Sequence, residues 1–473
     1  MPELSIEEIA GVVKGEIVNW QGKPGDETEK SGRFAHYYFD TRDIISGQSL
    51  FFAMSGARDG HEFLDRLADK EGVAAVISRE YDYNARGIRF PLIRVPDPLK
   101  AAQELAVYVR NKYRRIKYVG ITGSAGKTTT KEFVYQLTSY KYKAYRSFLN
   151  WNNWIGMPFS LLNMEGDEDV AVFELAMSDP GIGEIDFLAG ILRPDVAVLL
   201  NAFPVHLEFL ESVDNVARGK AEILNHLAAD DIAFINGDLD HVRRETRSKK
   251  GRKIYFGKNE KYNQVILEDI LRNEHATAIA ADFYGVAAQF DTPIINRVHV
   301  ENLFAAIIVA QHLGMKHVEI QAALKEIKTL PGRGEIRRHG SFTIIDETYN
   351  SNPEALKKAL DWVDSEFKCA KIAVLGDMLE LGKKEALFHR EVGGYFAALG
   401  FDRLITVGRR ALDIAVGAAA KGFAEAKITR LDNAAAAAEY IKEVAAPGSV
   451  ILFKASRGIR LEKAVEEFCS DEK

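Results

Sequence analysis

Lys127 follows an apolar run and a glycine-rich turn and precedes a row of hydroxyls: Tyr118-Val119-Gly120-Ile121, then Thr122-Gly123-Ser124-Ala125-Gly126, then Lys127-Thr128-Thr129-Thr130-Lys131. That order of residue types suits a polyphosphate. Backbone N–H groups at the start of a helix face the anion, the ammonium adds a point charge, and a threonine hydroxyl reaches a divalent cation. The common spacing Gly-x-x-x-x-Gly-Lys-[Ser/Thr] is not met, because Ile121 stands where its first glycine belongs. Gly123 and Gly126 give a shorter Gly-x-x-Gly-Lys-Thr turn. Residues Thr122 to Thr129 are therefore the expected cradle of a nucleoside triphosphate.

Other residues gain interest from where they fall. Glu174 ends the apolar run Val170-Ala171-Val172-Phe173, and the carboxyl end of a strand is where α/β sheets bind ligands. A solvent-facing strand-end Glu is an equal alternative. His206 follows Val198-Leu199-Leu200 by a short loop, and a lone His is more often structural than a metal ligand; Lys220 reads by default as a solvated helix lysine. Further on, Asp346-Glu347-Thr348-Tyr349-Asn350-Ser351-Asn352-Pro353 places an acid, a phenol and two amides between a strand and a proline-started helix, which a well-capped loop would also explain. Gly376-Asp377-Met378-Leu379-Glu380-Leu381-Gly382 and Lys454-Ala455-Ser456-Arg457-Gly458 follow strands in the same way. Three polar loops at the strand ends of one unit suggest the floor of a substrate site.

The elements that must carry these residues alternate between strand and helix, so the expected fold is α/β in three domains. Residues 1–113 form a small N-terminal unit, with Ser5 capping a helix over Ile6–Val13, strands at Leu50–Ala53 and Val73–Ile77, helical periodicity over His61–Lys70, and a closing helix over Leu99–Tyr113. Residues 114–330 form a central, mostly parallel-sheet unit, with strands at 118–121, 170–173, 196–200, 232–235 and 254–256. Its helices are expected at 131–139, 185–192, 213–227, 301–313 and 318–327, with hairpins within 264–298. Pro331-Gly332-Arg333-Gly334 marks the break to a doubly wound, Rossmann-like unit over 331–473, with strands at 342–345, 372–375, 404–407 and 450–453.

At 473 residues the chain exceeds one typical core, and Lys plus Arg (62) against Asp plus Glu (68) gives −6, which argues against nucleic acid as its main partner. The two cysteines, Cys369 and Cys469, make neither a disulfide framework nor a cysteine zinc site. The acidic, amphipathic start does not resemble a signal peptide, and no apolar stretch is long enough to span a bilayer. A cytoplasmic protein without membrane insertion is expected.

Taken together the motifs resemble the Mur ligase family, over nearly the whole chain and in order. Asp40-Thr41-Arg42 and Asp59-Gly60-His61-Glu62-Phe63 resemble its UDP-sugar-binding domain. Gly120 to Lys131 is similar to its Gly-x-x-Gly-Lys-Thr-Thr loop, Asn152-Asn153-Trp154-Ile155-Gly156-Met157-Pro158 to its Asn-Asn-x-Ile-Gly-x-Pro element, and Asn302-Leu303-Phe304-Ala305-Ala306 to its adenine-contacting helix. The stretches Tyr349–Pro353 and Val374–Gly382 favour the members that add D-Ala-D-Ala to UDP-MurNAc-tripeptide. The resemblance implies an ATP-dependent amide ligase, acting as a monomer on those two substrates. Lys127 would neutralise the β- and γ-phosphates, Thr128 and Glu174 would hold a first Mg2+, His206 a second, and Lys220 would carry an N-carboxylate that also binds metal. Asn302, Arg333 and Asp346 would lie near the nucleotide, Thr41, Arg42, Asp59, Gly60, His61, Asn152 and Asn153 near the UDP-MurNAc-peptide, and Tyr349, Asn350 and Asn352 near the incoming amine. Thr41, Ser178, Asp179 and His299 depart from the family's usual Ser, Asn, His and Asn, and two extra residues fall within Pro180–Ile185. A relative adding another amino acid, or glutamate to folate, is the nearer alternative. A nucleotide-hydrolysing switch is the more distant one, weakened by the lack of an Asn-Lys-x-Asp or Thr-Lys-x-Asp guanine motif.

Overall fold

Apolar runs punctuated by Gly, Pro and Asn become the strands of three main sheets in the computed structural model, which describes residues 3–20, 32–44, 47–56, 58–148, 151–177, 182–203, 210, 212–272, 277–379 and 381–470. The first sheet has five strands, in the order Glu16–Val18, Leu92–Val95, Val73–Ser78, Ser49–Phe52, His36–Tyr38, parallel except for the first pair. Ser5 caps helix Ile6–Val13 by accepting from the Glu8 N–H at 3.1 Å. The segment expected as an α-helix near residue 61 is a 3-10 helix, Gly60–Leu67. Its buried residues His61, Leu64 and Leu67 recur every three positions, which fits three residues per turn better than 3.6. Helix Pro98–Lys112, capped by Asp97 and opened by Pro98, leads into the second sheet.

That sheet has nine strands: Val286–Thr292, Thr277–Phe283, Val265–Arg272, Arg252–Gly257, Ile232–Asn236, Val196–Leu199, Lys117–Thr122, Val170–Glu174 and Ala144–Arg146. The hairpins at 265–292 are antiparallel and the rest is parallel. Lys117–Thr122 pairs with Val196–Leu199 on one side and Val170–Glu174 on the other. The chain leaves it in both directions, so its carboxyl end opens at a topological switch point. Helix Arg297–His312 starts four residues earlier than its apolar pattern suggested, because Asn296 caps it by accepting from the Val298 N–H at 3.0 Å. His299 is thereby a helical residue.

The third sheet runs Glu335–His339, Phe342–Glu347, Val450–Lys454, Lys371–Gly376, Arg403–Val407, Ile428–Leu431, antiparallel only at its first pair. Both edge strands escaped the sequence reading. Their charged residues mask the apolar pattern, and an edge strand tolerates charge that a central one does not. One apolar core runs from Leu4 through the first sheet to Phe173 and Ile235 of the second, and another fills the second sheet's opposite face beneath helix Arg297–His312. The third sheet has its own core on each face. Among the described residues no helix is long and apolar enough to cross a membrane.

Candidate active site

Gly126 has a φ of 81°, and a Cβ placed on it would lie 2.3 Å from Asn302 Oδ1, so the turn requires glycine twice over. The chain enters helix Lys127–Ser139 at once, four residues before the expected start, and Thr128, Thr129 and Thr130 lie in its first turn. Asn201 braces the loop, accepting from the Ala125 N–H at 2.9 Å and donating to the Ala125 carbonyl at 3.0 Å. Ser124 Oγ accepts from the Phe203 N–H at 2.9 Å. Lys127 Nζ donates to the Gly123 carbonyl at 2.9 Å, and burial pushes its pKa down against the pull of Glu174. The ammonium thus folds back onto its own loop.

Beneath the loop, Thr128 Oγ1 donates to Glu174 Oε2 at 2.6 Å and Asn152 Nδ2 donates to Oε1 at 2.8 Å. Both Thr128 and Glu174 are buried at the end of neighbouring elements. A hydroxyl and a carboxylate side by side at the phosphate loop are the hard oxygen donors that Mg2+ takes, so these residues fit the ion. Lys220, on helix Val213–Ala221, is only 2% exposed, which overturns the solvated-lysine alternative. Burial, and then the charge of Lys127, push its pKa well below the usual lysine value, with Glu174 and Glu184 opposing. That direction favours the neutral amine, the form that captures CO2. His206 lies outside the described residues, as do Ser178, Asp179, the Pro180–Gly181 part of the expected insertion, and Glu380.

The phosphate loop faces the third sheet across a cavity of about 870 Å3. Its lining includes Ser124, Ala125, Gly126, Lys127, Thr128, Thr129, Asn152, Glu174, Asn302, Arg333, Tyr349, Asn350 and Asn352 from the residues singled out in the sequence. It also includes His299, Glu347, Lys358, Lys454 and Ser456. Sequence reasoning had given none of these a role, although Glu347, Lys454 and Ser456 stood inside the quoted loops. Ser456 ties the three polar loops together: its Oγ accepts from the Leu379 N–H at 2.9 Å and donates to the Ser351 carbonyl at 3.2 Å. Lys454 Nζ donates to Glu347 Oε2 at 3.0 Å and to the Asn350 carbonyl at 3.1 Å, while His299 Nε2 stands 3.7 Å from Glu347 Oε1. Burial alone would raise the Glu347 pKa, but Lys454 and His299 hold it down to about 2. The Arg333 guanidinium stacks 3.9 Å from the centre of the Tyr349 ring.

The remaining expected site residues sit elsewhere. Thr122 is buried and donates to the Leu175 carbonyl at 2.9 Å, Gly123 backs onto Leu200, and Asn153 accepts from the Gly156 N–H at 2.8 Å; none of the three lines the cavity. Asp346, 2% exposed, spends its carboxylate on the Thr348 hydroxyl (2.6 Å) and on Arg337 (3.3 Å). In the first sheet's unit, Arg42 pairs with Asp40 beside Thr41. Asp59 accepts from His61 Nδ1 at 2.6 Å, while His61 Nε2 accepts from the Ser78 N–H at 3.0 Å. Gly60 lies against the Met54 backbone, where a Cβ would come within 2.8 Å. None of this group lines the phosphate cavity.

The family model described as Mur ligase middle domain matches residues 121–310, and that described as Mur ligase, glutamate ligase domain matches residues 332–457. The UDP-N-acetylmuramoyl-tripeptide–D-alanyl-D-alanine ligase of Bacillus subtilis (strain 168) is 33% identical over 476 residues, covering 99% of this chain and 98% of that protein. The structure of the MurF ligase of Thermotoga maritima in complex with ADP superposes with a TM-score of 0.79 at 29% identity, covering 92% of this chain and 96% of that one. MurF from Acinetobacter baumannii has the same fold, with a TM-score of 0.86 at 23% identity and complete coverage of both chains.

Proposed function

This chain belongs to the Mur ligase family, and from that premise we propose that it joins D-Ala-D-Ala to UDP-MurNAc-tripeptide with ATP, in the synthesis of peptidoglycan precursors. One observation carries the reading: a phosphate loop with a buried Thr128–Glu174 oxygen pair faces three amide- and hydroxyl-bearing loops across a single cavity. The reaction runs in two steps. The terminal carboxylate of the tripeptide attacks the γ-phosphorus of ATP, giving an acyl phosphate and ADP; the amine of D-Ala-D-Ala then attacks the acyl carbon, and phosphate leaves.

Two anions must meet in the first step, so positive charge has to stand where they approach. Lys127 releases the Gly123 carbonyl and turns to the β- and γ-phosphates, while the N–H groups of residues 123–128 surround them. Thr128 and Glu174 would hold Mg2+, which screens the phosphate charge when bound. Lys220, with its neutral amine, would take up CO2 and present a carbamate anion at the same place, with His206 as a further ligand. Arg333 and Asn302 would flank the nucleotide; Asp346 would act from behind, by fixing Thr348 at the turn.

Residues 1–113 would bind the UDP-sugar through Thr41, Arg42 and the Asp59–His61 loop, 114–330 the nucleotide, and 331–473 the dipeptide through Tyr349, Asn350 and Asn352. Asn152 and Asn153 would lie toward the peptide. Closure over the cavity excludes the water that would hydrolyse the acyl phosphate. The enzyme would work as a cytoplasmic monomer. The test is phosphate release: it should require both UDP-MurNAc-tripeptide and D-Ala-D-Ala, whereas equal release with neither would make the chain a nucleotide switch.

A further inference from the structure

Lys358 lines the cavity from helix Pro353–Glu366 and has no role in the scheme above. Of the other cavity cations of the third sheet's unit, Arg333 is stacked on Tyr349 and is already assigned to the nucleotide, and two are paired with carboxylates. Lys454 pairs with Glu347, and Arg457 pairs with Glu462 at 3.1 Å. Among the described residues Lys358 has no carboxylate partner; its Nζ lies 4.4 Å from the centre of the Phe203 ring. An aromatic face holds an ammonium in place without neutralising it or using up its N–H donors. Phe203 is itself hydrogen-bonded to Ser124 of the phosphate loop. The helix thus presents a positioned, unneutralised cation one ring away from where phosphate chemistry would occur.

We propose that Lys358 receives the terminal carboxylate of the incoming dipeptide and so selects an amine that carries a carboxylate one residue further on. This rests on the ligase reading. The attacking amine must be uncharged and must point at the acyl carbon over Lys127, so the dipeptide's other end points away, toward the third sheet's unit. Two residues of extended chain span at most about 7 Å. Along the same helix face, Ala355 and Ala359 also line the cavity, and their small side chains leave methyl-sized room for alanine.

The experiment measures steady-state phosphate release by the full chain with UDP-MurNAc-tripeptide, using either D-Ala-D-Ala or its C-terminal amide as amine. Wild type should prefer the acid over the amide. Lys358→Met should raise KM for D-Ala-D-Ala by roughly ten- to a hundredfold, the scale of a lost hydrogen-bonded charge. It should also lose the preference for acid over amide while KM for ATP moves by less than about threefold, and Lys358→Arg should restore the preference. The proposal is overturned if Lys358→Met keeps the wild-type acid preference. It is equally overturned if KM for ATP rises instead, which would assign the lysine to the nucleotide. If wild type releases no phosphate with D-Ala-D-Ala at all, the ligase reading fails first.

Discussion

Replacing Glu347 by Gln removes one negative charge from a buried cluster and leaves the Lys454 ammonium, 3.0 Å away and 3% exposed, without its counter-ion. In the wild type the Glu347 carboxyl is held at about 2, against an ordinary 4.5. That difference of about 2.5 pH units corresponds to about 3 kcal/mol of folding free energy at neutral pH. Removing one member of a buried pair costs about 3–5 kcal/mol in general, the same scale. Because the folded value is the lower one, this stability is fully present above the unfolded value near 4.5 and drains away as pH falls toward 2. About 2 kcal/mol of it should remain at pH 3.5. Calorimetric unfolding of Glu347→Gln at pH 7 should show the transition of the C-terminal unit lowered by roughly 6–12 °C, with a smaller gap at pH 3.5. Glu347→Gln with Lys454→Met should be more stable than Glu347→Gln alone, because no orphan charge is left. A single variant that melts with the wild type at pH 7, or a gap that ignores pH, would refute the account of how these loops are held.

Lys127→Ala should keep the wild-type melting profile yet lose about a hundredfold or more in phosphate release; near-normal turnover would sink the assignment of the loop. Gly126→Ala forces a side chain into a φ of 81° and against Asn302, so calorimetric titration should find ADP binding weakened by roughly tenfold or more, and unchanged affinity would count against the geometry. Exhaustive removal of CO2 should lower wild-type turnover, bicarbonate should restore it, and 13C-bicarbonate should give a carbamate resonance absent from Lys220→Ala. The neutral Lys220 amine is the reactive form, so the recovered rate should fall as pH drops; turnover indifferent to CO2 would reject the carbamate.

Much of the fold was legible because its strands are central and apolar: Val170–Glu174 and Val196–Leu199 are buried at every position and could hardly be anything else. What escaped had its signal hidden by location. Helix Gly156–Leu162 is buried all round and carries no amphipathic period, and the edge strands Glu335–His339 and Ile428–Leu431 trade apolar alternation for charge. In the site, the phosphate loop and Glu174 could be read from local order, since one strand and one turn position each of them. Glu347, Ser456 and Lys358 could not, because their meaning depends on partners about a hundred residues or more away: Lys454, Ser351 and Phe203. Asp346 shows the converse, a residue marked by its motif whose carboxylate is consumed by the fold.

The apolar cores of the third sheet share no residue with those of the first two. Its contacts with the rest of the molecule include His299 against Glu347 and Gly334 and the Lys358 ammonium on the Phe203 ring. The part that would choose the amine is therefore an interchangeable cassette. A substitution inside its cores would leave the packing of the interior around the phosphate loop as it is. New acceptor chemistry can arise on this scaffold while the energy-supplying half stays as it is.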